Sequence, residues 1–224
     1  RQGRTRRNVA EGFNLHRGRW WNYYARGRWH LELGNPEAAA ADFSRALRQR
    51  DTDKRSARSY GMHFWDYFAR RERGVALVRL GRHAEAIRDL KRSLQSVPSA
   101  RARFYLNEAR RARLRETGGD AEVPVISLSD DPDGTVQGGR SLLIEGQVTD
   151  DQYVSSIVVA VRRQFIELAR SRISFQQELD LDPGRNVIVL EARDLAERSA
   201  TRRLEVTGDF SPPVISVNEV VRGD

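Results

Sequence analysis

The stretch GNPEAAAADFSRAL, Gly34 to Leu47, sets four alanines ahead of an aromatic residue and a fifth alanine. Alanine is the strongest helix former, and its methyl group lets a neighbouring helix come close. The stretch therefore predicts a helix built to be packed against. A second stretch, GRHAEAIRDLKRSL, Gly81 to Leu94, aligns with it without a gap. Gly34 matches Gly81, Ala39 matches Ala86, Phe43 matches Leu90 and Ala46 matches Ser93, while upstream Gly27 matches Gly74. The two stretches form an internal repeat, with Ala39 and Ala86 at helix crossings and Ala40 expected on the outside.

The pattern resembles the tetratricopeptide repeat. That family places a glycine and an alanine where two antiparallel helices cross, with a large apolar residue three or four positions on. The first copy supplies Tyr23, Gly27, Ala39 and Phe43, and the second Gly74, Ala86, Leu90 and Pro98. The resemblance implies helical hairpins over about 19–51 and 62–98 in a helical domain spanning 1–117. The chain departs from the pattern at Arg26 and Arg73, where leucine is usual, and at Asp51, where a closing proline is expected. The offset from Gly34 to Gly81 is 47 residues, against a period of about 34. Residues 51–61 therefore read as an insertion, either a polar loop or a lengthened helix ahead of Gly74. After Pro98, ARARFYLNEARRARLRE sets Phe104, Leu106, Ala109, Ala112 and Leu114 on a helical face and predicts a cap helix over about 99–116.

The 224 residues, 39% of them hydrophobic, suffice for one or two folded domains. No run approaches the roughly 20 apolar residues of a membrane span. The chain opens at Arg1 without a signal-like apolar segment and is expected to be a trimmed or mature fragment. It has no cysteine, which excludes disulfides, zinc-thiolate sites and cysteine nucleophiles. Charge is split along the sequence. Up to Thr117 there are 28 basic and 12 acidic residues (+16); from Gly118 there are 11 and 19 (−8), which sums to +8. Of the 39 basic residues only Lys54 and Lys91 are lysine, a bias that fits a GC-rich genome better than a demand for guanidinium chemistry.

The text changes at ETGGDAEVPV, so residues 118–122 read as a linker. Beyond it, short β-branched runs (VPVISL, SLLIEGQV, VSSIVVAV, ISFQQELDL, NVIVLEA, RRLEV) alternate with the turn signals DPDG, TDDQ, DPG and DLAERS. An antiparallel sandwich over 123–208 is expected, giving the fold class α plus β in two domains. This module resembles the bacterial immunoglobulin-like domains of envelope and secreted proteins, including accessory domains of some glucan-degrading enzymes. The resemblance rests on VPVISL, the DGTV turn, EGQVTDD with VSSIVV, and PGRNVIVLEARDLAERSATRRLEV. It implies a location in the bacterial periplasm or cell envelope. Alternation points Ile188, Leu190 and Ala192 inward and Val187, Val189 and Glu191 outward. Glu197 and Arg198 stand where the family often has Gly-Asn. PPVISV, Pro212 to Val217, repeats VPVISL at an offset of 89, so 209–224 reads as the start of a further module or a tail.

His16, His30, His63 and His83 show no metal-ligand spacing and no neighbouring nucleophile motif. The acidic groups Asp130, Asp131, Asp133 and Asp150, Asp151 lack a full calcium-loop spacing and read as solvated turns. Arg222-Gly223-Asp224 spells an integrin-recognition tripeptide, a match that three residues reach by chance. No catalytic, cofactor or metal residue is assigned. Aligned on the repeat, Trp21, Tyr24 and Arg28 fall on the inner helix of the first hairpin and Phe68, Arg71 and Arg79 on that of the second, with Tyr105 following from the cap helix. Guanidinium groups around an aromatic floor suit an acidic or carboxylate-ended peptide. The carboxylate-clamp subset of the family also uses groove asparagines, which this groove lacks. The competing reading has Trp20, Trp21, Trp29 and Trp65 filling core around short helices. The leading expectation is a non-catalytic interaction protein whose groove recruits an acidic protein partner while the sandwich spaces or docks it. That partner is a separate protein or the acidic half of this chain or of a second copy. The alternatives are the regulatory part of a larger peptidase or glycan-active enzyme, and nucleic-acid binding by the basic half, which ranks last because its arginines are scattered over many helical faces.

Overall fold

The computed structural model describes residues 18–120, 122–160 and 162–211. Among them, five α-helices and one β-hairpin precede a β-rich C-terminal region. The chain divides into a helical unit running to residue 121, which also takes in 167–169, and a β unit of 122–166 and 170 onward.

Helices α1 (Trp20–Glu32) and α2 (Pro36–Gln49) are joined through Gly34, whose φ of +76° is the left-handed conformation glycine adopts at little cost. The Asn35 side chain then accepts the Ala38 amide at 3.1 Å, and Pro36 stands at the first helical position. Helices α3 (Ala69–Arg79) and α4 (His83–Ser96) repeat the arrangement around Gly81, with φ +71°. Helix α5 (Ala100–Thr117) starts at Ser99, whose Oγ accepts the Ala102 amide at 3.3 Å, and ends at the left-handed Gly118. A Cβ built on Gly27 would lie 2.8 Å from Phe43 Cε1, and one on Gly74 would lie 2.7 Å from Leu90 Cγ. Only a glycine admits the partner side chain at either crossing. Ala39, Phe43 and Ala46 are fully buried, as are Ala86, Leu90 and Ser93. The two arginines that depart from the repeat pattern have equivalent partners. Arg26 donates to both Asp42 oxygens at 2.6 Å, and Arg73 donates to Asp89 at 2.6 and 2.8 Å.

Three expectations need correction. Ala40 is buried rather than outward, because α2 packs on α3 as well as on α1; Ala41 is the exposed member of the run. The insertion is neither a loop nor a longer helix but a hairpin of β1 (Lys54–Tyr60) and β2 (His63–Tyr67), turning at Gly61 (φ +54°), so the second helix pair begins at Ala69 rather than 62. Ala57 and Tyr67 bury one face of the hairpin, Tyr67 Oη donating to the Arg50 carbonyl at 2.6 Å. At the foot of the hairpin, the buried Asp53 carboxylate accepts the amides of Arg70 (2.8 Å) and Arg71 (3.1 Å). It caps α3, where Phe68 occupies the N-cap position without a side-chain oxygen. On α5 the buried stripe is Ala102, Leu106 and Ala109, a spacing of four and three; Phe104 lies off it and is 59% exposed.

In the β unit, β3 (Val125–Leu128), β4 (Val136–Gln137), β5 (Ser141–Val159), β6 (Arg162–Asp180), β7 (Gly184–Asp194) and β8 (Ser199–Gly208) form one sheet, antiparallel except for β4 on β8. The first half of β5 pairs with β3 and β6. After register shifts between Thr149 and Ser156, its second half pairs with β6 and β7. TDDQ, expected to end a strand, instead bends one: Asp150 Oδ2 accepts the amides of Gln152 (2.9 Å) and Tyr153 (2.6 Å). Residues from both halves enclose one apolar core, Leu142, Ile144 and Val148 from the first and Ile157, Leu190 and Leu204 from the second and its neighbours. Ile188, Leu190 and Ala192 are buried, and Val187 and Val189 are exposed, as the alternation predicts. At the next turn Glu197 itself takes a left-handed φ of +69° where the resembling domains often have glycine. PPVISV, Arg222-Gly223-Asp224 and His16 lie outside the described residues.

Candidate partner-binding cleft

Helices α1, α3 and α5 contact one another in sequence and form one layer of the helical unit. On that layer opens a cleft of about 630 Å³. Helix α1 lines it with Tyr24, Arg28, Leu31 and Glu32; the hairpin adds Arg55 and Asp66; Phe68 and α3 add Arg71, Glu72 and Arg79. Ser99 to Arg101 close it at the start of α5. Five arginines (28, 55, 71, 79, 101) against three carboxylates (32, 66, 72) leave it a formal +2.

The arginines fall into two groups. Arg71 lies over the Phe68 ring, its guanidinium carbon 4.0 Å from the centroid, and donates to Glu72 at 2.7 Å and to Ser99 Oγ at 3.3 Å. Arg101 donates to the other Glu72 oxygen at 3.2 Å and stacks over Tyr105 at 5.2 Å. The buried Glu72 thus orients both and offsets one of their two charges. The remaining three stay available. Arg28 is exposed and reaches Glu32 only at 3.9 Å; Arg79 donates to the Leu31 carbonyl at 2.8 Å; Arg55 lies 6.0 Å from the Phe68 centroid. Neither Arg55 nor Arg79 makes an ion pair among the described residues. Tyr24 forms part of the floor, donating its hydroxyl to the Asp66 carbonyl at 2.9 Å. Burial, with the Glu72 charge, pushes its pKa up to about 12, so it remains a neutral donor at physiological pH.

Of the seven residues read from sequence, Tyr24, Arg28, Phe68, Arg71 and Arg79 line this one cleft. Trp21 does not; it packs edge-on against Trp20, ring centres 5.4 Å apart, at the margin of the apolar core. Tyr105 packs against both helical cores and meets the cleft only through Arg101. Trp20 is core, 4.7 Å from Tyr67, and Trp65 packs on the same cluster. The sequence reading missed Arg55 and Asp66, which the hairpin carries, and Glu72 and Arg101. The alternating RSARSY and HFWDY were the signal for the first two.

A second cleft of about 370 Å³ lies between α3 and α4, but its Arg70 and Arg73 are engaged by Asp89. His30 stands 3.8 Å from Asp42, and His83 Nδ1 stands 2.7 Å from Glu116. Among the described residues, no group of three converging acidic or histidine side chains lies wholly within the helical unit. Asp131 pairs with Arg202, and Asp133 accepts the Glu205 amide at 2.7 Å, so both serve turns of the β unit. No helix among the described residues is long and apolar enough to cross a membrane.

No family model matches the chain, and no curated protein matches it. Among solved structures it is similar to the fibronectin(III)-like modules of Clostridium thermocellum CbhA, at 13% identity and a TM-score of 0.31, over 44% of this chain and 54% of that one. It is also similar to an FMN-binding beta-glucuronidase from Facaelibacterium prausnitzii L2-6, at 10% identity and a TM-score of 0.24, over 80% of this chain and 31% of that one. The chain thus spans about half the length of the first and about a third of the second. Both TM-scores are too low to establish a shared fold.

Proposed function

We propose that the chain is a non-catalytic interaction protein of the bacterial cell envelope whose helical cleft recruits an acidic segment of a partner protein. In this reading the helical unit is a tetratricopeptide-like array of two repeats and a cap helix, and the β unit is an immunoglobulin-like spacer or docking module. The equivalent contacts Gly27 on Phe43 and Gly74 on Leu90, and the matching left-handed Gly34 and Gly81, support the first assignment. The strand that changes neighbours at Asp150 supports the second. The envelope location rests on the sequence resemblance of the β unit.

One observation carries the functional reading: Arg55 and Arg79, with no ion pair among the described residues, and the exposed Arg28, with only a 3.9 Å contact to Glu32, surround an aromatic floor in a single cleft. A guanidinium presents donors that match a carboxylate two at a time, and its hydrogen bonds strengthen where water is partly excluded. Several arginines elsewhere on the helices are paired within the chain, as in Arg26–Asp42, Arg73–Asp89 and Arg82–Glu85, which leaves less unpaired charge for a phosphate backbone. Fluorescence anisotropy of the full chain with a labelled oligoglutamate peptide tests the reading. Oligoglutamate should bind, oligoglutamine should not, and Arg28→Glu with Arg79→Glu should weaken binding at least about tenfold. Equal binding by the reversed variant would contradict it.

A further inference from the structure

The hairpin gives the cleft a wall that the helical repeat does not supply. Ala57 pairs with Trp65 and Arg58 with Phe64. Paired residues share a face and successive residues alternate. The face that carries Ala57, Trp65 and Tyr67 packs on the helices. The opposite face carries Arg58, Phe64 and Asp66, and Asp66 lines the cleft. Phe64, Asp66 and Phe68 therefore follow one another at every second position, leading out of the cleft along β2.

That outward row is apolar at its far end. Phe64 is 54% exposed, and Met62, in the turn, is 83% exposed. Among the described residues of the helical unit these are two of four exposed large apolar side chains, and they stand two residues apart. The tip is braced: Arg58 Nε donates to the Gly61 carbonyl at 2.7 Å, and Ser59 Oγ donates to the His63 carbonyl at 3.1 Å. Asp66 Oδ1 accepts the amide of Ser56, whose φ of +50° marks the irregularity in β1. Lys54, Arg55 and Arg58 against Asp66 give the hairpin a net +2, the same sign as the cleft.

We infer that the outward face of the hairpin continues the cleft and receives an apolar side chain of an extended, acidic partner segment. The inference rests on the cleft reading and names the partner's chemistry: carboxylates for Arg28, Arg55 and Arg79, and an aliphatic or aromatic residue for Phe64 and Met62. A strand advances about 3.3 Å per residue, so Phe64 lies two residues, about 7 Å, beyond Asp66. An extended ligand covers that distance with two of its own residues, so a carboxylate facing the cleft and an apolar side chain facing the tip stand two positions apart on one face of the ligand.

The test measures binding of the full chain to two twelve-residue peptides of equal charge, one repeating Glu-Ser-Leu-Ser and the other Glu-Ser-Ser-Ser, so that acid and leucine share one face of the first. Burying leucine against the tip predicts about tenfold tighter binding of the first. Met62→Ser with Phe64→Ser should bring the first peptide down to the level of the second, while Phe64→Leu keeps the preference and thermal melts verify that each variant is folded. Arg28→Glu with Arg79→Glu should weaken both. Equal affinity of wild type for the two peptides, or a preference that survives the serine variant, overturns the hairpin contact and leaves the cleft reading standing. Binding of neither peptide overturns both. If there is no peptide preference but wild type binds phosphatidylserine vesicles and the serine variant does not, the tip is a lipid contact and the inference is overturned.

Discussion

At the scale of single residues, the alanine run and the two crossing glycines divide positions that look alike in sequence. Ala39 and Ala86 are fully buried at the helix crossings, so replacing either with leucine should overpack the crossing and cost about 1–3 kcal/mol in chemical denaturation. Gly27→Ala and Gly74→Ala should behave similarly, since the added methyl meets Phe43 and Leu90 side chains at 2.8 and 2.7 Å. Ala41→Glu should be nearly neutral, whereas Ala40→Glu should destabilise; the reverse order would mean that α2 does not pack on α3. Asp53 makes a pH-dependent prediction. Burial raises its pKa above the ordinary carboxylate value, so its proton is held more tightly in the folded state than in the unfolded one. The corresponding stability is fully present below the unfolded value of about 3.9 and is lost as pH rises through the higher folded value. The stability of wild type relative to Asp53→Asn should therefore fall over that window and then level off. A difference that grows with pH would show that the two amide donors outweigh burial.

At the scale of elements, what the sequence disclosed and what it hid follow from how local each signal is. Alanine, glycine and aromatic spacing report helix crossings directly, so both helix pairs, α5 and the inward alternation of β7 were legible, and with them five of the cleft residues. The β1–β2 hairpin was not, because its core face contributes only Ala57, Trp65 and Tyr67 to the apolar pattern and its other face mixes Arg58 with Phe64 and Asp66. Phe104 misled for the converse reason: its place in a helical window groups it on one face with Leu106 and Ala109, although the buried stripe runs through Ala102, Leu106 and Ala109. Arg26 and Arg73 looked like departures from the repeat because their partners, Asp42 and Asp89, lie sixteen positions away. These pairs join the two helices of each pair, so Asp42→Asn or Asp89→Asn should cost about 1–3 kcal/mol, the arginines being partly solvated. A double-mutant cycle with Arg26→Met or Arg73→Met isolates the coupling. Coupling near zero would reduce the pairs to surface contacts.

At the scale of the whole molecule, two charge distributions share one chain, +16 up to Thr117 and −8 after it. A basic half attracts any acidic ligand over a Debye length of about 8 Å at physiological salt, so affinity alone does not distinguish a shaped cleft from a diffuse field. Under the proposed function the cleft, not the field, selects the ligand. Two charge reversals of equal size separate the two, using Arg28→Glu with Arg79→Glu inside the cleft and Arg88→Glu with Arg92→Glu at the α3–α4 surface. Each pair changes the formal charge of the full chain equally. Titrating both variants and wild type with oligoglutamate and with oligolysine, followed by anisotropy, gives the most direct measurement. The cleft account predicts that reversal at 28 and 79 turns the preference from glutamate to lysine, while reversal at 88 and 92 leaves glutamate binding within about twofold of wild type. An equal loss of glutamate binding in the two variants would contradict it.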